Sequence, residues 1–255
     1  MIEVKDLKKS FDGREILKGI SFVFEPGKIN LVIGQSGSGK SVLIKNLVGL
    51  LDPDEGQIIY DGREFTGLKF KQKKEIRKEI GMVFQGGALF DSETCANNVR
   101  FPLEMFTKMT DEEKQKRVDF CLNRVNLDHA HNLFPGEISG GMQKRVAIAR
   151  AIALNPKYLF FDEPNSGLDP KTSLVIDNLI KEITLEYNIT TIINTHDMNS
   201  VMEIGDKIMF VFEGNNWWSG TKNDLFHADN KELNDFVFAS DLFKKVREVA
   251  ISQGA

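Results

Sequence analysis

Apolar residues along the chain gather into short runs bounded by turn signals. They fall at residues 2–4, 16–24, 29–33, 57–60, 80–84, 158–161, 190–194 and 207–212, and each run predicts a strand. Between many of them the spacing turns helical, directly after Gly39 and over residues 69–78, 111–125, 141–154 and 170–187. Strands alternating with helices in this way imply an α/β sheet with parallel members. Residues 86–132 break the alternation with a polar helical stretch, Thr110-Asp111-Glu112-Glu113-Lys114, and no convincing strand, so a separate helical lobe is expected there. Past Gly220 the pattern is short and helical. Leu242, Phe243, Val246 and Val249 then form one apolar stripe, suited to packing on a partner subunit. There is no internal repeat and no low-complexity segment.

Composition narrows the class without naming a chemistry. The 255 residues, 41% hydrophobic and 27% charged, suffice for a folded domain with its own core. Lys and Arg number 33 against 37 Asp and Glu, a net charge of −4, so no global cationic field draws the chain to nucleic acid. The start, Met1-Ile2-Glu3-Val4-Lys5-Asp6, lacks the apolar core of a signal peptide, and no apolar run is long enough to span a bilayer; a cytosolic chain is expected. Cys95 and Cys121 lie too far apart for a redox or zinc pair motif and read as structural thiols. Lys69, Lys71, Lys73, Lys74, Arg77 and Lys78, interleaved with Glu75 and Glu79, suit a solvated helix face; contact with anionic headgroups is the other reading.

Specific chemistry begins at Gly34-Gln35-Ser36-Gly37-Ser38-Gly39-Lys40-Ser41, which fits G-x-x-x-x-G-K-[ST] between a predicted strand and a predicted helix opening at Val42. The glycines let the backbone curl so that successive N–H groups point inward. The helix N-terminus adds positive partial charge where a polyphosphate would sit. Lys40 supplies a point charge to the outer phosphates, and the Ser41 hydroxyl is a Mg²⁺ ligand by type. The motif by itself says nucleotide binding and no more.

Further along, Tyr158-Leu159-Phe160-Phe161-Asp162-Glu163 is an apolar strand ending in two carboxylates, placed to face a ligand crevice. Asp162 suits a Mg²⁺ held through water, and Glu163 suits a general base for the attacking water. Taken alone, the segment reads first as a strand running into an acidic surface turn; beside the glycine loop it does not. His196 and Gln85 also follow strand ends. The first could bond a γ-phosphate and the second reach Mg²⁺, though either residue alone is more often a packing or surface group.

Ile138-Ser139-Gly140-Gly141-Met142 resembles the LSGGQ signature of ABC ATPases and stands upstream of the Asp162-Glu163 strand as that family requires. Phe11 then looks like the A-loop aromatic, Gly34 to Ser41 the Walker A, Gln85 the Q-loop, Asp162-Glu163 the Walker B, Ser166-Gly167-Leu168-Asp169 the D-loop and His196 the switch histidine. The resemblance implies a P-loop NTPase fold over residues 1–240. Its parts are a RecA-like core, an N-terminal antiparallel β-subdomain and a helical subdomain inserted at about 86–155; a helical tail follows at 241–255. It also implies a homodimer clamping two ATP molecules, each with Mg²⁺, in which Ser139, Gly140 and Gly141 of one copy and Asp169 of its D-loop meet the nucleotide held by the other. Phe11 in place of tyrosine keeps ring stacking on adenine.

The stretch Phe84-Gln85-Gly86-Gly87-Ala88-Leu89-Phe90-Asp91-Ser92, then Asn97-Asn98-Val99-Arg100-Phe101-Pro102-Leu103, and the signature's Met142 with Lys144-Arg145, are similar to the MlaF-like ATPases of Mce-type phospholipid transport. That resemblance implies an MlaE-like permease docking beside residues 86–99, an Mce-domain lipid-binding protein, and a place on the cytoplasmic face of the inner membrane. An importer of amino acids or another small solute is the alternative, followed by a lipid or drug exporter. An ABC ATPase of DNA repair or translation is disfavoured, since the chain has neither a long coiled-coil insertion nor a second cassette.

Overall fold

The computed structural model describes residues 1–252, with side chains through Val249. It divides into two compact units, one of Met1–Leu68 with the segment from Ile192 onward, the other Lys69–Thr191.

The first unit opens with β1 (Ile2–Phe11), β2 (Arg14–Phe24), β3 (Ile29–Ile33), α1 (Lys40–Leu47), β4 (Glu55–Tyr60) and β5 (Arg63–Glu64). In the second follow α2 (Phe70–Arg77), β6 (Ile80–Val83), α3 (Cys95–Phe106), α4 (Asp111–Arg124), α5 (Gly140–Ile152), β7 (Tyr158–Asp162) and α6 (Pro170–Glu186). The chain returns to the first unit within β8 (Thr190–Asn194). It continues through α7 (Met198–Ile204), β9 (Lys207–Phe212), β10 (Asn215–Gly220), α8 (Lys222–His227), α9 (Lys231–Val237) and α10 (Asp241–Ser252).

An antiparallel sheet of order β2-β1-β4-β5 forms one layer of the first unit. β1 runs well past the predicted 2–4. Its second half is polar, with Lys5, Asp6, Lys8, Lys9 and Ser10 hiding the alternation, and register shifts between Val4 and Leu7 and between Lys9 and Ser10 displace it further. Pairing on both sides sustains the strand regardless, with Lys8 bridging to Glu55 at 2.7 Å and Lys9 to Asp54 at 2.6 Å. The other layer pairs β3 with β9 in parallel and β9 with β10 antiparallel. Every residue of β3 is buried, as a strand covered on both faces requires.

In the second unit β6 and β7 pair in parallel, Ile80 opposite Tyr158 through Val83 opposite Phe161. α5 packs against β6, α3, α4 and α6. This explains why Val146, Ala147, Ile148, Ala149 and Ile152 are buried nearly all round it. Gly81 is needed where β6 meets α5, because a Cβ there would lie 2.5 Å from the Ala151 carbonyl oxygen. The basic stretch on α2 is mostly exposed; Lys73 is buried, however, and Lys78 bridges to Glu75 at 2.9 Å.

Of the C-terminal stripe, Leu242, Val246 and Val249 are exposed on α10. Arg247 anchors that helix by donating to the carbonyls of Phe226 and Ala228. Residues 253–255 of the expected tail lie outside the described residues.

Candidate functional site

The glycine loop is built in the first unit. The chain leaves β3 at Gly34 with φ 149°, where a Cβ would sit 2.3 Å from the Val211 carbonyl oxygen of β9. It enters α1 through Gly39 at φ 108°, where a Cβ would come within 3.0 Å of both the Ile16 carbonyl oxygen and the Leu17 side chain. No side chain fits either position. Between them the Ser38 N–H donates to the Gln35 carbonyl at 3.2 Å. Lys40 folds back over the loop and its buried ammonium donates to the carbonyls of Gly34 (2.7 Å) and Gln35 (2.9 Å). Ser41 accepts a 3.4 Å bond from Asn194 at the end of β8.

The loop's surroundings ask for an anion. The Ser38 hydroxyl is buried with no hydrogen-bond partner, and the first N–H groups of α1 point out of the helix end. Beside it opens a cavity of about 540 Å³ whose lining includes Gln35, Ser36, Gly37 and Ser38 together with Arg14 and Lys18. The β9–β10 turn braces this wall: the Gly214 N–H donates to the Ser38 carbonyl at 3.2 Å, and its own carbonyl accepts from Lys18 at 2.9 Å. Phe11 stands opposite Arg14 in the β1–β2 hairpin, 42% exposed, with the Lys9 ammonium 5.5 Å from its ring centre. It is not part of the cavity lining. His196 is exposed just past β8.

The remaining candidates belong to the second unit. β7 is buried up to Phe161 and emerges at Asp162. Glu163 follows with φ 50°, a left-handed conformation uncommon outside glycine, held by a bond from the Ser166 N–H to its carbonyl at 3.2 Å. Gln85 donates its side-chain amide to the Ser166 hydroxyl at 3.2 Å, while its backbone carbonyl accepts from the Lys144 ammonium. Burial pushes the Lys144 ammonium below the usual lysine range, and the charges of Asp162 and Glu163 oppose that shift.

Ser139 caps α5 by accepting from the Met142 N–H at 3.3 Å, and both it and Gly140 are exposed. Gly141 touches α6 so closely that a Cβ would lie 2.5 Å from Thr172 Cγ2. Asp169 caps α6, accepting from the N–H groups of Lys171 and Thr172 at 3.0 Å each and from the Thr172 hydroxyl at 2.5 Å. That hydroxyl, followed by the Thr172 N–H, holds the Asp169 carboxyl below the usual range.

Thus Gly34 to Ser41 and Asn194 cluster in one unit, and Gln85, Ser166 and Lys144 in the other, where Gly141 and Thr172 join Ser139 to Asp169. Asn194 carries no role in the motif reading, Ser166 stands there only as the first residue of the D-loop, and Lys144 only as a mark of family likeness. A sign of Lys144 was available, since it is a cation on the row Lys144, Ala147, Arg150 of a helix otherwise apolar on that side. Ser41 in the first unit, and Asp162 and Gln85 in the second, each carry an oxygen of the type Mg²⁺ takes. No cluster of three or more His, Cys, Asp or Glu occurs among the described residues.

Residues 17–166 match the family model described as ABC transporter. The chain is similar to the methionine import ATP-binding protein MetN of Campylobacter jejuni, 37% identical over 94% of this chain and 76% of that one. It is similar also to the intermembrane phospholipid transport system ATP-binding protein MlaF of Haemophilus influenzae, 36% identical over 93% of this chain and 90% of that one. Among solved structures it resembles the ATP-binding cassette MJ0796, seen as a post-hydrolysis dimer bound to ADP and Pi, with TM-score 0.80 and 32% identity over 87% of this chain and 98% of that chain. It resembles likewise cbiO1 of Clostridium perfringens, part of the cbiONQ transporter complex, with TM-score 0.83 and 32% identity over 97% of both chains. Among the described residues no helix is long and apolar enough to cross a membrane.

Proposed function

The chain belongs to the ABC transporter family and hydrolyses ATP as one of its ATP-binding subunits, and on that premise we propose that the transport it drives is of phospholipid between the membranes of a cell envelope. The observation that carries this reading is the reach of the MlaF likeness, which takes in 90% of that relative against 76% of the methionine importer. Met142 behind Ser139-Gly140-Gly141 supports it. The 37% identity to MetN favours amino-acid import as the second reading.

Two copies meet head to tail in this proposal. Gly34 to Ser41 and Val42 cradle the phosphates of one ATP, with Phe11 stacked on the adenine. The helical segment 86–155 of the other copy brings the Ser139-Gly140-Gly141 tip, exposed at Ser139 and Gly140, to the γ-phosphate. Ser41 and Gln85 would hold Mg²⁺, and Asp162 would act on it through water; when bound, the ion would supply positive charge against that developing on the phosphates. Glu163 takes the proton of the attacking water, and His196 and Asp169 orient the γ-phosphate side. A hollow of about 400 Å³ lined by Phe90 and Phe101 together with Glu93, Arg100 and Glu104 suits a cytoplasmic helix of an MlaE-like permease at the inner membrane. An Mce-domain protein would pass the lipid on.

Glu163→Gln should bind ATP yet hydrolyse it about 10²–10⁴-fold more slowly, and normal turnover in that variant removes the general-base role. Lys40→Ala should abolish binding or turnover, measured with a fluorescent nucleotide and a phosphate-release assay. Cargo is decided by reading the neighbouring genes for a permease and co-purifying the chain with it. ATPase stimulation by an Mce-domain protein loaded with phospholipid supports the proposal, whereas stimulation only by an amino-acid receptor favours the second reading.

A further inference from the structure

The loop after β6, residues 84–90, is gripped by α5 at three carbonyls. The Lys144 ammonium donates to the Gln85 carbonyl, and the two terminal nitrogens of Arg150 donate to those of Gly87 and Ala88, each at 2.7 Å. Between the two cations the Ala147 methyl lies 3.8 Å from where a Gly87 Cβ would stand. Residues three apart line one ridge of a helix, so α5 presents ammonium, methyl and guanidinium in step with the loop backbone. Gly87 at φ 72° and Ala88 at φ 48° both take left-handed conformations there. The Ala88 strain needs a compensating hold, and Arg150 supplies it.

Lys144 is buried and Arg150 half-buried, so the Lys144 bond is the less freely exchanged for solvent. The far end of the loop is tied too. The Arg150 guanidinium lies 6.0 Å from the Phe90 ring centre, and Phe90 packs on Phe101 at 4.8 Å in the hollow described above.

We propose that Lys144 and Arg150 are positioning residues for ATP hydrolysis, fastening the backbone of residues 85–88 to the helix that Ser139 opens and so fixing where the Gln85 side chain reaches. This rests on the role given to Gln85 above. Lys144 acts at the reactive end of the loop, and Arg150 at the end that meets the Phe90 hollow. A push on Phe90 is thereby delivered to α5 and to Gln85 together.

The test is steady-state hydrolysis by the full chain with ATP and Mg²⁺ titrated separately, for wild type, Gln85→Ala, Lys144→Met, Lys144→Arg and the double variant Gln85→Ala/Lys144→Met. Lys144→Met should lower kcat about tenfold while leaving KM for ATP within about twofold, and should raise the Mg²⁺ concentration needed for half-maximal rate. Lys144→Arg should recover part of the loss. The double variant should be no slower than Gln85→Ala alone, because Lys144 acts through Gln85. Arg150→Met should speed amide exchange across residues 86–90.

A wild-type kcat in Lys144→Met overturns the proposal. So does a double variant slowed by both factors in full, which would place Lys144 on the Asp162 and Glu163 carboxylates or on the fold at large. Should Lys144→Met fail to fold, Lys144→Arg carries the test, and an unchanged kcat and Mg²⁺ requirement in it then counts against us. An inactive wild-type chain would instead defeat the ATPase reading itself, and normal turnover in Gln85→Ala would defeat the role of Gln85 and the clamp with it.

Discussion

Asn98 knots a surface loop with a fully buried side chain: its oxygen accepts from the Phe90 N–H at 2.8 Å and its nitrogen donates toward the carbonyls of Phe90, Glu93 and Thr94 at 3.0–3.1 Å. Asn98→Leu strands those groups without water, so it should cost about 1–3 kcal/mol of unfolding free energy, read from urea melts. In the sequence Asn98 stands only within the stretch 97–103 that carries the family likeness, with no sign of its structural part, since an asparagine owes its place to partners that only folding supplies. The glycine loop is the opposite case. Gly34, Gly39 and Lys40 stand at spacings that only backbone-to-phosphate chemistry explains, and the crowding at Gly34 and Gly39 gives the same answer from geometry. Glu25 is a third kind: hydrogen bonds from Lys207, then Lys28, lower its carboxyl from the ordinary 4.5 to about 2. A depressed carboxyl stabilises the fold above its unfolded value and loses that effect as pH falls toward the folded one. Stability should therefore drop between about pH 4.5 and 2, and Glu25→Gln should flatten that part of the acid-melting profile. The pair is partly exposed, so the change will be modest. Burial pushes the Cys121 thiol up to about 11, and native protein at neutral pH should resist alkylation there until it unfolds.

Among the elements, those whose apolar period is intact were legible: β3, β8 and β9 occupy the predicted residues, α4, α5 and α6 depart from prediction by a residue or two at their ends, and α1 starts two residues and stops three residues before the pattern at 42–50. β2, β4, β6, β7 and α2 also follow the predicted runs to within two residues, whereas α3 and β10 were hidden for identifiable reasons. α3 contains Pro102 and two asparagines that weaken its local preference. Its Thr94 cap, accepting from the Asn97 N–H at 3.2 Å, and its packing on α4 and α5 carry it. β10 begins Asn215-Asn216 and lacks alternation, yet the turn at Glu213 and Gly214, both at positive φ, returns the chain antiparallel to β9. α5 has a prop at its C-terminal end as well as its grip on the loop, for Arg117 of α4 donates to the carbonyls of Ile152 (2.7 Å) and Ala153 (2.9 Å). Arg117→Met should lower stability by about 1–3 kcal/mol, seen as a reduced urea midpoint with the ATP affinity kept.

At the scale of the whole molecule, motif order sufficed for the family and the ATPase activity, because each motif is a short segment whose chemistry is local. Cargo is not local in this sense. It is set by a permease surface that the chain only abuts, which is why relatives moving methionine and phospholipid are alike here to within one per cent in identity. In the dimer proposed above, Glu163→Gln with ATP should sediment as twice the mass of the nucleotide-free chain, and removing residues 240–255 should weaken that association if the exposed stripe of α10 packs on the second copy. An unchanged association constant would dismiss the stripe's part. The contact between Gly141 and Thr172 has a practical corollary for anyone building chimaeras from this family. With no room for a methyl between them, and Thr172 held by Asp169, the start of α5 and the start of α6 are cut to one another's shape. A graft from another cassette must bring both segments, because either one inherited alone would arrive with the wrong neighbour.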